Sequence, residues 1–163
     1  AMPKFSLFEG STNNDDIENI IYSLFKKMGL LAGRDYIYFL DSTMFRIWFI
    51  KPGSTLLLKN TLFSNQVLLG NGIFINKEIA NAYSIPHNDR RYGDVIWWAN
   101  SGVLIFPDYF HNMKPYKGMH GYRPDTKSTY GTCITWGKGI IKDYSEEQEL
   151  IYVNDLIKEI NSN

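Results

Sequence analysis

The sequence predicts an α+β fold, and three observations carry that prediction. Apolar residues Ile17, Ile20, Ile21, Leu24, Phe25 and Met28 recur at helical spacing. "DYIYFL" and "MFRIWFI" are β-branched and aromatic runs separated only by "DST". Between residues 108 and 127 neither period survives, so the chain crosses a long loop there.

Taken in order, "FSLF" at residues 5–8 reads as a short strand leading into the helix-cap candidates of "STNNDD". The first helix starts near Asp15, with acids in its first turn, Lys26 and Lys27 near its end and Gly29 as its stop. In "DST", Asp41 and Ser42 can bond their own backbone and close a turn, which makes the two flanking runs a hairpin. After Pro52-Gly53, "STLLLKNTLFSNQ" reads as a capped helix, and "VLLGNGIFI" as strand or loop, with "GNG" at its centre as a turn. The order strand, helix, strand, strand, helix, strand is that of a ferredoxin-like (βαββαβ) subdomain, spanning residues 1–75.

Residues 76–163 form the second predicted unit. "NKEIANAYSI" is a short helix capped by Asn76 and ended by Pro86. "DVIWWAN" and "GVLIFP" pair as strands around Ser101-Gly102. Beyond the long loop come the strand "GTCITWG", the turn "KGIIKDYSEE" and a closing helix over "VNDLIKEI".

At 163 residues the chain is long enough to bury a core. Lys plus Arg equals Asp plus Glu, at 17 each, so no net field draws in a nucleic-acid polymer or an anionic membrane surface. The most apolar runs are far shorter than the roughly 20 residues that cross a bilayer. The 11 Tyr, 10 Phe and 4 Trp lie among aliphatics inside strand-like runs, where core packing explains them better than base stacking. A single cysteine and the lack of a signal-peptide pattern favour the cytoplasm.

The loop carries "GMHGYRPD", with His120 between two glycines. The residues leave three readings open: a metal ligand on a tight loop, a general base, or a surface turn. Cys133 could pair with His120 as a nucleophile, but it lies in an apolar run with no basic neighbour to lower its pKa, so a structural thiol is expected. His111, in "YFHNMK", could support a metal site from behind; an exposed or stacking ring is the simpler expectation. His87 follows Pro86 beside a helix end, which suffices to explain it. Asp89, Arg90, Arg91 and Asp94 read as ion pairing at a strand start rather than as a phosphate site. Thr43 has the chemistry of a nucleophile, yet turn formation by Asp41, Ser42 and Thr43 needs no such role.

"RRYGDVIWWANSGVLIFPDYF", "GMHGYRPD", "GTCITWGKGI" and "VNDLIKEI", in that order and spacing, resemble the C-terminal part of the type I phosphodiesterase/nucleotide pyrophosphatase family, in the alkaline phosphatase superfamily. "FLDSTMFRIWF" is similar to the strand-turn-strand that precedes it in some members, so the resemblance runs from about Tyr36 onward. It implies that residues 76–163 are a partial alkaline-phosphatase-like α/β segment and that His120 is a ligand to one of two active-site metals, usually zinc. Neutral imidazole suits zinc, and flanking glycines let the ring approach an ion without collision.

The family site hydrolyses phosphodiester or pyrophosphate bonds with a Thr or Ser nucleophile and further Asp and His ligands, including an adjacent Asp-His pair. No "DH" dipeptide occurs here. The resemblance therefore implies a cap and C-terminal segment, inactive alone, whose partner is an N-terminal catalytic part or another chain acting on a phosphate ester. The alternative is a stand-alone binding or interaction module that keeps the cap fold without catalysis.

Overall fold

In a computed structural model, residues 5–7, 17–50, 55–86, 89–113, 118–132 and 157–158 are described. They form an α+β protein in which the elements run β1 (Phe5–Leu7), α1 (Ile17–Lys26), β2 (Tyr36–Leu40), β3 (Met44–Phe49), α2 (Thr55–Phe63), α3 (Gln66–Asn71), β4 (Gly72–Phe74), α4 (Lys77–Ala82), β5 (Val95–Ala99) and β6 (Val103–Ile105). The chain divides into two compact units, Ala1–Tyr130 and Gly131–Asn163. In the second, Ile157 and Lys158 are helical, within the expected closing helix. Cys133, the strand "GTCITWG" beyond Thr132, the turn after it and the rest of that helix lie outside the described residues, as does His87.

The first helix ends where the sequence places its stop. Gly29 adopts φ +74°, and the paired bonds Leu30 N–H to Phe25 C=O (3.0 Å) and Gly29 N–H to Lys26 C=O (2.9 Å) close the end in a left-handed cap. A β-branched or bulky residue would be strained there. The expected hairpin follows, with β2 and β3 antiparallel in the register Tyr36↔Phe49 to Leu40↔Phe45.

"VLLGN" departs from expectation, being the body of α3 rather than strand or loop. Asn65 caps it, its side-chain oxygen accepting from Leu68 N–H at 3.0 Å. "GNG" is consequently no isolated turn. Asn71 closes the helix and Gly72 opens β4, with extended backbone at φ −176°. The cap predicted at Asn76 is present, accepting from Ile79 N–H at 2.8 Å.

Strand pairing adds what element order could not. Four strands form an antiparallel sheet in the order β2-β3-β5-β4, while β1 pairs with β6 in a separate two-stranded sheet. β5 thus joins the sheet of the first half of the chain, and the expected boundary between residues 75 and 76 falls inside the first compact unit. Two residue runs far apart in sequence can share a sheet whenever their apolar faces match, and "VIWWA" matches "MFRIWF" by alternation.

That alternation sets two faces. Phe45, Ile47, Phe49, Val95 and Trp97 are buried in one cluster with Ile21, Phe25, Leu58, Leu62 and Leu68 of the helices. Phe45 stacks on Trp97 with ring centres 5.2 Å apart, and the Trp97 indole N–H donates to the Leu68 carbonyl at 3.0 Å. Phe25 meets Tyr36 edge-on at 4.6 Å. Full burial of each such side chain is worth about 2 kcal/mol against solvent. Trp98, one residue on, projects to the opposite face, where the histidine loop lies.

Candidate functional site

The "DST" turn between β2 and β3 does more than reverse the chain. As expected, Asp41 bonds locally: its side chain accepts from Ser42 N–H at 2.7 Å, and its N–H donates to the Met44 carbonyl at 2.8 Å. The two hydroxyls are used elsewhere. Ser42 and Thr43 are both buried, and each reaches a loop some 65 to 80 residues away. Their carbonyls tie in β5 and β6, accepting from Ala99 N–H and Ile105 N–H at 2.8 Å each. Contrary to the sequence expectation, these two strands do not pair with each other but lie in different sheets, one bonded by β3 and β4 and the other by β1.

Thr43 holds the loop that carries His120. Its Oγ1 donates to the Gly121 carbonyl at 3.0 Å, and the Trp98 indole N–H donates to the same oxygen at 2.8 Å. Gly121 has φ +93°, and a Cβ there would sit 2.9 Å from Thr43 Oγ1, so glycine suits both the turn and the close approach. Next in sequence, the Tyr122 hydroxyl donates to the Val103 carbonyl at 3.0 Å, with the ring packed against the core. His120 itself is exposed, and no hydrogen bond or ion pair engages its ring among the described residues. The imidazole thus stands on a firmly tied mount while remaining open to solvent.

Burial pushes the Tyr122 phenol above its ordinary value near 10. A raised phenol pKa means that folding favours the protonated form, so this contribution to stability is complete below about pH 10 and is lost as pH rises through the folded value. Tyr122→Phe removes the hydrogen bond to the Val103 carbonyl and should cost about 1 kcal/mol at pH 7. Urea midpoints of the two proteins should converge above pH 10. Equal midpoints at pH 7 would show that the phenol does not hold this loop.

Ser42 belongs to a second constellation. Its Oγ donates to Asp108 Oδ2 at 2.6 Å, while Asp108 Oδ1 accepts from the Phe110 and His111 backbone N–H groups at 2.8 Å each. His111 Nδ1 lies 3.0 Å from Asp108 Oδ1 and 3.4 Å from Ser42 Oγ. This differs from the expectation of a simply exposed or stacking ring: His111 is half-buried and tethered to a buried carboxyl, with Phe110 6.2 Å away as its aromatic neighbour. It is not a nucleophilic arrangement either. In such a site histidine bridges acid and hydroxyl through opposite ring nitrogens, whereas here the serine hydroxyl donates its hydrogen bond directly to Asp108 and both groups approach one ring nitrogen.

The charged turn forms the ion pairs expected of it, Arg91 to Asp89 at 2.6 Å and Arg90 to Asp94 at 3.3 Å. Asp94 also accepts from Phe49 N–H at 2.8 Å, which fastens the turn to β3. Among the described residues no three His, Cys, Asp or Glu side chains assemble as a group able to hold a metal ion. His120 has the ligand chemistry, but a zinc site on it requires ligands from beyond these residues. No described helix is long and apolar enough to cross a membrane.

Thr43, Trp98, Ser42 and Asp108 are the positioning residues that sequence reasoning missed. Two signals were present. "DST" carries more hydroxyls than a turn needs, and in "WW" one indole must face away from the core, where its N–H requires an acceptor. No family model, curated protein or solved structure matches this chain.

Proposed function

We propose that this chain is the cap and C-terminal segment of a metal-dependent hydrolase like the phosphodiesterase/nucleotide pyrophosphatases, supplying His120 as one ligand to a site that protein beyond this sequence completes. The observation that carries the proposal is the contrast around His120: an open imidazole, flanked by Gly121 with two donors on its carbonyl and by an anchored Tyr122. A histidine that served only packing would be expected to bury its ring or give it a local partner. Divalent metal in the completed site would polarise the phosphoryl group. This chain's own residues would hold the ligand loop in place.

In this reading the finer fold is a ferredoxin-like cap followed by a partial alkaline-phosphatase-like segment. The βαββαβ order over residues 5–74, with one extra helix, supports it. The separate pairing of β1 with β6 and the insertion of β5 between β3 and β4 are the features it must accommodate.

The isolated chain should not hydrolyse bis(p-nitrophenyl) phosphate with added zinc. Mixed with a polypeptide carrying a Thr or Ser nucleophile and an Asp-His pair from the neighbouring coding sequence, it should restore zinc-dependent turnover, and His120→Ala should abolish that turnover. Appreciable hydrolysis by the isolated chain that disappears in His120→Ala would overturn the proposal, as would restored turnover indifferent to His120.

A further inference from the structure

A groove of about 720 Å³ runs beside β4, the edge strand of the four-stranded sheet, and its walls come from α2, α3, β4, α4, β5 and the charged turn that precedes β5. That volume lies within the range of sites for drug-sized ligands. One side is aromatic: Phe63 and Phe74 have ring centres 4.5 Å apart. Phe63 and Leu69, both lining the groove, are more than two-fifths exposed, at 41% and 45%.

The polar lining is unbalanced in charge. Lys59, Lys77 and Arg90 face a single carboxylate, Asp94, in a chain whose acids and bases are equal in number overall. Arg90 is engaged with Asp94 at 3.3 Å and with the Phe49 carbonyl at 2.9 Å, which removes that pair from the tally. Lys59 and Lys77 form no ion pair among the described residues. Lys59 lies one helical turn before Phe63 on α2, so a cation and an aromatic ring share one wall.

We propose that this groove binds a small aryl anion, its ring system laid against Phe63, Phe74 and Leu69 and its anionic group met by Lys59 and Lys77. Apolar contact supplies the area and the two lysines select the charge. This rests on the groove alone and is independent of any role for His120.

The test titrates the full chain with naphthalene-2-sulfonate and follows backbone amide shifts, beside the neutral 2-naphthalenemethanol. The sulfonate should saturate with shifts centred on the groove-lining residues of α2, α3, β4, α4 and β5, and the alcohol should bind about tenfold more weakly, the worth of one charge-assisted contact. The Lys59→Gln/Lys77→Gln variant should lose the same factor for the sulfonate and little for the alcohol. Leu69→Ala, at an exposed site that leaves the fold intact, should weaken both. Equal binding of the two probes, shifts centred away from the groove, or no saturation into the millimolar range would overturn the proposal. Binding of an acidic peptide to this groove while the sulfonate stays inert would overturn it as well.

Discussion

Gly72→Ala should lower the melting temperature by about 6–12 °C, because the new methyl group has nowhere to go. A Cβ at this position would overlap two ring carbons of the Trp97 indole and lie 2.5 Å from the Trp98 carbonyl oxygen. None of these can yield cheaply. Trp97 is fully buried, stacked on Phe45 and bonded through its indole N–H to Leu68, while the Trp98 oxygen belongs to the neighbouring strand. Overpacking of this kind costs about 3 kcal/mol, and a domain of this size loses roughly 2–4 °C for each kcal/mol. Gly70 supplies the control. A Cβ there meets nothing within 4 Å, and the site is helical, so Gly70→Ala should leave the protein unchanged or stabilise it by up to about 1 kcal/mol. Thermal scans by circular dichroism decide the matter; the same melting temperature for both variants would mean that β4 does not lie against Trp97 as described.

Asp108→Ala should destabilise by about 3 kcal/mol, read as a lower urea midpoint at unchanged slope. The Asp108 side chain is 1% exposed and accepts from Ser42 Oγ, from two backbone N–H groups and from the side of His111 Nδ1. Truncation strands the Ser42 hydroxyl inside the protein and releases the turn at Tyr109 and Phe110. Asp108→Asn should cost roughly half as much, since the amide oxygen can still accept from the Phe110 and His111 N–H groups. Hydrogen exchange adds a local readout: those two amides should exchange much faster in the alanine variant and little faster in the asparagine one. A midpoint for Asp108→Ala within about 0.5 kcal/mol of the parent would remove the carboxyl from its place as organiser of this corner.

The helix over residues 17–26 and the hairpin of β2 and β3 were legible because their signals are local. Repeated apolar spacing, a glycine at the helix stop and a polar turn between aromatic runs act within a few residues of one another. "VLLGN" was read otherwise because a short apolar run fits helix and strand alike, and the deciding feature, the Asn65 cap, is a single side-chain bond.

The candidate site was legible in part. His120 stood out by its glycine neighbours, but its support did not, since Thr43 lies 78 residues from Gly121 and Trp98 lies 23 residues from it.

Composition, period and turn chemistry by themselves determined the α+β class, most of the elements and the exposed histidine loop. Only the tertiary structure decided that β5 completes the sheet, that β1 pairs with β6, and that the hydroxyls of Ser42 and Thr43 serve two distant loops. The physical reason is range. Local propensity acts over one or two turns of chain, whereas a buried hydroxyl or indole N–H must find its acceptor wherever packing brings one, and no sequence spacing records that choice.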